Sequence, residues 1–236
     1  SGDNEIDTVS GNLTLDSAAG TVVVADNLNV QDALTVTNTL NANGNIEGDN
    51  STNITGIAAI TAGSDATINS VTVGKGANSV AGNTVVGESA LDASVTGANN
   101  TAIGKEALTT NTSGHSNTGT GYQALKANTT GAYNTGLGNQ ALDLNTTGDH
   151  NTAVGSDAMG ANTTGTRNVA VGSLSLDANT TADDNVAIGY GALTDNTTGN
   201  QHVAVGSYAL TNNTTSTHNT AVGYIAMHEN TSGYNN

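Results

Sequence analysis

The feature that most constrains the fold of this chain is a 17-residue repeat in its C-terminal two thirds. The repeat reads N-T-A-V-G-x-x-A-L-x-x-N-T-T-G-x-x, and nine full copies run without a gap from residue 83 to residue 235. A unit of this length is too short for a pair of packed helices, which takes more than about 30 residues. The fixed length therefore predicts structural units that stack directly on one another. The positions of the repeat are numbered 1 to 17 from its first Asn.

Some positions of the repeat hardly vary. Position 5 is always Gly, position 8 is Ala except for Ser175, position 9 is Leu or Met, and position 12 is Asn except for Ser94. Position 1 is Asn except for His202, where we expect the imidazole to replace the amide as a hydrogen-bonding group. Positions 6, 7, 10, 11, 16 and 17 vary freely and carry most of the charge, so we expect them to face solvent.

The local pattern predicts one coil of β-structure per repeat. T-A-V-G is rich in β-branched residues and ends in Gly, which predicts a short strand followed by a turn. N-T-T-G predicts a second turn. The segment between them, A-L-x-x-N, is too short for a stable helix and is interpreted as a second strand. The fold class is therefore all-β, a parallel β-solenoid or β-roll of 17-residue coils stacked about 4.7–4.8 Å apart.

Stacking places identical residues above one another, so the Asn columns are expected to form amide ladders. The predicted ladder residues are Asn100, Asn117, Asn134, Asn151, Asn168 and Asn185 at position 1, and Asn128, Asn145, Asn162, Asn179, Asn196 and Asn213 at position 12. Position 5 requires a positive φ or a close backbone approach, for which Gly is suited. These turn glycines are Gly87, Gly104, Gly121, Gly138, Gly155, Gly172, Gly189, Gly206 and Gly223.

The two faces of the predicted strand suggest self-association. Position 3 is small throughout, Val85 being the largest residue there, whereas positions 2 and 4 share the opposite face and carry Thr, Val, Ile or Leu. Both faces suit burial, but a single thin coil covers only one. We therefore predict parallel packing of several chains, as a homotrimer.

Residues 1–82 follow a different pattern and are predicted to form a separate β-rich, shaft-like segment. Apolar residues recur every six residues at Val22, Leu28, Leu34, Leu40 and Ile46, after which the pattern fades. The second predicted domain, residues 83–236, holds the nine solenoid repeats, and the junction is placed near residues 74–82.

Composition and motifs argue against most biochemical activities. Four Lys and Arg against twenty Asp and Glu give a net charge of −16, which would repel a phosphate backbone and argues against nucleic-acid binding. There is no apolar run of about 18 residues, so no membrane insertion is predicted. The chain has no Cys, no G-x-S-x-G and no phosphate-binding loop, and its His residues lack metal-ligand spacing. We therefore expect no enzyme activity, no cofactor and no metal. The six Tyr and the acidic patch around Asp183 are interpreted as exposed surface rather than as binding sites.

The repeat phrases N-T-A-I-G at residues 100–104, N-T-A-V-G at 151–155 and N-V-A-I-G at 185–189 resemble the head repeats of trimeric autotransporter adhesins. Residues 74–87 are similar to a linking phrase of that family, and N-L-N-V-Q-D-A-L-T-V-T-N-T-L near the N-terminus is similar to the β-rich shafts of bacteriophage tail fibres. The resemblance implies a trimeric fibre.

The function expected from this resemblance is a structural and adhesive fibre segment, of a phage tail fibre or virion appendage, involved in host attachment. Its location would be extracellular or on the virion surface. Its partners would be further copies of itself and a host receptor or glycan. Alternatives are a bacterial cell-surface adhesin head or an extracellular filament subunit. A third alternative is an ice-binding solenoid that uses a column of Thr residues, Thr130, Thr147, Thr164, Thr181, Thr198 and Thr215.

Overall fold

A computed structural model describes residues 65–68, 70–93 and 95–236, which lie within one compact unit, residues 59–236. In this part of the chain, eleven short strands form a single sheet in chain order. The first two are β1 (Ala66–Ile68) and β2 (Val71–Gly74). The others are β3 (Thr84–Gly87), β4 (Thr101–Ile103), β5 (Thr118–Thr120), β6 (Thr135–Leu137), β7 (Thr152–Val154), β8 (Val169–Val171), β9 (Val186–Ile188), β10 (Val203–Val205) and β11 (Thr220–Val222).

Strands β3 to β11 are parallel, and each pairs with the strand of the next repeat. Thr84 lies opposite Thr101, and the same one-repeat offset recurs through Val203 opposite Thr220. Because the offset equals the repeat length, every residue of a strand lies beside its own equivalent in the next coil. The predicted all-β parallel β-solenoid with 17-residue coils is confirmed.

The N-terminal end of the stack has a different topology. β1 pairs antiparallel with β2, and β2 pairs antiparallel with β3. A short 3-10 turn at Ala77–Ser79 connects this hairpin to the first coil. The Asp65 carboxylate accepts backbone N–H groups of Lys75 and Gly76 at 2.7 and 2.5 Å, which ties the hairpin to the turn. The predicted six-residue pattern of residues 22–46 lies outside the described residues.

The second strand predicted for A-L-x-x-N is wrong. This segment forms turns, because the residues at positions 7 and 9 take left-handed backbone angles, as with Glu106 at φ 57° and Leu108 at φ 53°. A left-handed residue other than Gly costs roughly 1–2 kcal/mol, so Leu is not the residue expected there. The turn is nevertheless bonded between coils, since Leu108 N–H donates to Ala124 O at 3.0 Å. Leu occupies the corner because its side chain fills the interior.

The apolar part of the interior consists of the side chains at positions 3, 8 and 9. In the coil that begins at Asn134, Ala141 and Leu142 are fully buried, and Gly136 is buried beside them. A Cβ atom on Gly136 would lie 3.3 Å from Leu125 Cγ and 2.9 Å from Ala141 O. The space between strand and turn is therefore narrow, and position 3 is Gly or Ala in every coil except the first, which has Val85. Burying each Leu contributes about 1.5–3 kcal/mol to stability.

The Gly at position 5 is required for two reasons. Gly155 has φ +140°, a conformation that L-residues rarely adopt. A Cβ atom on Gly155 would also lie 2.6 Å from the carbonyl carbon of Gly172 in the next coil. The last such residue, Gly223, shares the positive φ, but a Cβ there would meet only Ala226 Cβ, at 3.9 Å. Stacking, and not only the turn, therefore excludes a side chain from this column.

Candidate interaction surface

The Asn residues at position 1 close each coil and join it to the next. Asn134 Nδ2 donates to Gly148 O of its own coil at 2.7 Å, and its Oδ1 accepts the backbone N–H of Asn151 at 2.9 Å. The predicted residues of this column, Asn100, Asn117, Asn134, Asn151, Asn168 and Asn185, are all fully buried and have the same partners.

The Asn residues at position 12 form a continuous amide ladder. Asn145 Nδ2 donates to Asn128 Oδ1 of the preceding coil at 2.8 Å and to Gly148 O at 3.0 Å. The carbonyl at position 15 thus accepts from both Asn columns. The predicted residues Asn128, Asn145, Asn162, Asn179, Asn196 and Asn213 are fully buried, so their N-T-T sequons are inaccessible to a glycan in the folded coil.

Two coils carry a side chain at position 15, and both disturb the position-12 ladder. A Cβ atom on Gly165 would lie 2.5 Å from Asn162 Oδ1. One coil later the residue is Ala182, and the rung from Asn196 Nδ2 to Asn179 Oδ1 is 3.5 Å, against 2.7 Å for the rung before it. At Ser216, the hydroxyl donates to Asn213 Oδ1, which in regular coils accepts from the next Asn.

His202 replaces Asn in the first ladder and reproduces both of its hydrogen bonds. Its Nδ1 accepts the backbone N–H of Asn219 at 3.2 Å, and its Nε2 lies 2.7 Å from Ser216 O. The side chain is fully buried, and burial lowers the pKa of the imidazole. The imidazole therefore makes the two hydrogen bonds that the Asn amide makes in the other coils, which is the role expected from the sequence.

The strand face turned away from the interior carries no charged side chain in the described coils. Positions 2 and 4 hold only Thr, Val, Ile and Leu, in nine consecutive strands. Ile103 is 40 % exposed, Leu137 45 % and Val222 69 %, although each lies in a strand of the sheet. The name sheet face is used below for these two columns. Exposed apolar side chains collected on one face are typical of interaction sites.

The Thr columns of the N-T-T turn divide into two kinds. From Thr112 to Thr197, the hydroxyls at position 13 donate to the backbone of the next coil, as Thr146 Oγ1 does to Thr163 O at 3.0 Å. The residues at position 14 are exposed and form a single row: Thr130, Thr147, Thr164, Thr181, Thr198 and Thr215. The arrangement therefore presents one free Thr row rather than two parallel ones.

Three of the six Tyr residues, which the sequence presents as isolated, form two aromatic clusters with His. Tyr190 and Tyr208 contact edge to face with ring centroids 5.2 Å apart, because positions 6 and 7 of successive coils are neighbours. Tyr133 stacks on His150 with centroids 4.8 Å apart, and His115 packs edge-on against the same Tyr. Both clusters are exposed at corners of the coil. The sequence signal for the Tyr190–Tyr208 contact is that side chains in adjacent columns of successive coils lie close together.

The charged groups are distributed along the variable columns. Arg167 pairs with Asp184 at 2.7 Å, and their hydrogen bond lowers the pKa of the Asp184 carboxyl. Asp143 and Asp177 lie half-buried on either side of Gly160, and burial, followed by the charge of Asp157, raises the pKa of both carboxyls. Within the described residues, no group of three potential ligands is arranged to hold a metal ion.

A cavity of about 310 Å³ lies beside the N-terminal hairpin, between β2 and the first coil. Its ionisable lining residues are Asp65 and Asp92, and the Asp65 carboxylate already accepts two backbone N–H groups. The lining includes no imidazole, thiol or cationic side chain. The described residues also contain no helix long and apolar enough to cross a membrane.

Comparison with protein-family models, with curated proteins and with solved structures gave no match for this chain.

Proposed function

We propose that the chain is a segment of a structural, adhesive fibre whose solenoids pack in parallel through their sheet faces as a homotrimer. The fibre would extend from a virion, as part of a tail fibre or similar appendage, and help attachment to a host. A bacterial cell-surface adhesin head or extracellular filament is the alternative within the same architecture.

The observation that carries the proposal is the chemistry of the sheet face. It holds no charged residue in nine coils, although the chain carries a net charge of −16. The charges lie in other columns, so copies can approach through this face without placing carboxylates against each other. Six Val, Ile and Leu side chains of this face, in β3, β4, β6, β9, β10 and β11, are exposed at 36 % or more, which favours their burial against another surface.

A second copy in parallel register is the partner that fits this face best. The face repeats at each coil, so its partner must repeat with the same spacing along the whole length. An identical chain meets that condition without further specification, since each coil then meets the equivalent coil. The number of three chains follows the resemblance of the N-T-A-V-G phrases to trimeric autotransporter heads.

The assembly is tested by light scattering on the full chain after size exclusion. We expect three times the mass of the 23.3 kDa chain. Val171→Glu places a charge on the sheet face and should reduce the mass to one chain. Thr164→Glu is the matched control on the exposed N-T-T turn and should leave the trimer intact. A native chain of single-chain mass would overturn the assembly.

Adhesion is tested separately by binding of the labelled, assembled chain to a panel of bacterial cells. Tyr190, Tyr208 and Tyr224 lie on three successive coils and are exposed by 47 %, 37 % and 73 %, so they are the first candidates for contact with a receptor. We expect binding that the triple Tyr→Ala variant loses while keeping its mass. Trimers that bind no cell would mean that this segment is a spacer and that adhesion lies elsewhere in the fibre.

A further inference from the structure

One ionisable side chain, His202, occurs in the two ladder columns of residues 83–235. Every other residue there is Asn, apart from Ser94. An amide keeps the same donor and acceptor at all accessible pH values, whereas an imidazole gains a donor when it binds a proton. The stack therefore contains one rung whose hydrogen bonding depends on pH.

The partners of His202 fix its protonation state. The backbone N–H of Asn219 can only donate, so Nδ1, 3.2 Å away, must be unprotonated. The carbonyl of Ser216 can only accept, so Nε2, 2.7 Å away, must carry the hydrogen. The geometry thus requires the neutral ring with its hydrogen on Nε2.

A protonated ring does not fit this position. Its new Nδ1–H would point at the N–H of Asn219, which places two donors against each other in a buried space. Nε2 carries a hydrogen in both protonation states and lies 2.9 Å from Nδ2 of Asn213, so that contact does not distinguish them. The ring would then have two N–H groups and one acceptor, Ser216 O, and no water could compensate because the side chain has no exposed surface.

The joint between the coil beginning at His202 and the next coil also lacks the position-12 rung of the regular coils. The oxygen that would accept this rung, Asn213 Oδ1, accepts from the Ser216 hydroxyl, and Asn230 Nδ2 donates to Gly233 O at 3.2 Å. Both ladders are thus altered at the same joint.

We propose that the joint between the coil beginning at His202 and the coil beginning at Asn219 is an acid-operated release point of the solenoid. On acidification, a proton binds His202, the contact to Asn219 is lost, and the stack opens at this joint while the preceding all-Asn joints stay closed. The inference depends only on the coil geometry and not on the proposed function.

The electrostatic surroundings agree with this direction. Burial first, and then repulsion from a charge on His218, lower the pKa of His202, although its two backbone hydrogen bonds oppose the shift. Asp183 and Asp184, in the coil beginning at Asn168, pair with Arg167. The remaining ionisable side chains of the three coils around His202 lie in columns 6, 7, 10, 11 and 16: Tyr190, Asp195, Tyr208, Tyr224, His228, Glu229 and Tyr234.

The sign of the pH effect follows from the lowered pKa. The unfolded segment binds a proton near the ordinary value of about 6.5, whereas the folded joint resists it. Stability of the joint is therefore complete above that pH and falls as the pH drops towards the folded pKa. Between those two pKa values, each pH unit changes the opening equilibrium of the joint by at most roughly tenfold.

Residue-resolved hydrogen exchange on the full chain tests the proposal. Val203 N–H and Leu210 N–H bond across the His202 joint, to Asn219 O and Ala226 O. Thr152 N–H and Met159 N–H occupy the same positions at an all-Asn joint. Between pH 7.5 and pH 5, protection should fall roughly tenfold or more at the first pair, after correction for the intrinsic rate. It should stay constant at the second pair.

Two variants make the result specific. His202→Asn restores the repeat and should abolish the pH dependence at Val203 and Leu210. Adding Asn151→His to that variant should transfer it to Thr152 and Met159. An equal loss of protection in His202→Asn would overturn the proposal, because other groups would then cause it. A ring nitrogen spectrum of the native chain at pH 7.5 provides an independent check, since hydrogen on Nδ1 of His202 would also contradict it.

Discussion

The regular coils between Asn100 and Ala182 and the coils around His202 have the same length and register but different rungs. In the regular coils, the position-12 rungs measure 2.7 to 2.9 Å. After Ala182 they measure 3.5 and 3.3 Å, and no rung of this kind joins Asn230 to Asn213. One methyl or hydroxyl at position 15 thus alters the neighbouring column. The positions of the repeat are coupled through the carbonyl at position 15, which serves both ladders.

The largest contrast between the regular coils and the last described coil is expected at position 5. Gly155→Ala combines backbone strain with a Cβ atom that would lie 2.6 Å from Gly172. Gly223→Ala shares the strain but meets no backbone. We expect Gly155→Ala to lower the free energy of unfolding by about 2–6 kcal/mol and Gly223→Ala by about 1–3 kcal/mol, as measured by urea denaturation. Equal losses would mean that stacking does not select this Gly.

A smaller contrast is expected within the position-12 column. Asn145→Ala leaves Asn128 Oδ1 and one hydrogen of Asn162 without partners in a fully buried ladder. Asn230→Ala removes only contacts to Gly233 in a partly exposed coil. The expected losses are about 2–4 kcal/mol and less than about 1.5 kcal/mol. The urea midpoints of the two variants provide the measurement, and a larger loss for Asn230→Ala would contradict the ladder account.

The smallest effect is expected from the electrostatic repulsion of Asp157 on Asp143 and Asp177, which all lie in the regular coils. Asp157 helps to raise the pKa of the Asp143 and Asp177 carboxyls, so their ionised forms are less favourable in the folded state. A raised pKa means that stability is lost as the pH rises from about 4 through the folded pKa values. Asp157→Asn should therefore stabilise the chain at pH 7 by a few tenths to about 1 kcal/mol, and not at pH 3. Thermal melts at both pH values test this, and an equal gain at pH 3 would exclude charge as the cause.

The sequence predicted the coil, its register and both Asn columns, because stacking of identical residues leaves a direct periodic record. It failed at position 9, where Leu108 adopts a left-handed conformation usually left to Gly or Asn. Interior filling outweighed backbone preference there, and a pattern of residue types does not report that balance. The Tyr190–Tyr208 contact was missed because it joins different columns of successive coils. The disturbance caused by Ala182 depends on distances of tenths of an ångström, which repeat alignment does not contain.

The central claim, that identical chains meet in parallel through the sheet face, is tested most directly by cross-linking. The chain contains no Cys, so single substitutions report one position each. Val171→Cys lies on the sheet face, and Thr164→Cys lies on the exposed N-T-T turn. After treatment with a short bis-maleimide, the account predicts covalently linked pairs of chains for Val171→Cys and single chains for Thr164→Cys in denaturing electrophoresis. Single chains for Val171→Cys, or linked pairs for Thr164→Cys alone, would contradict it.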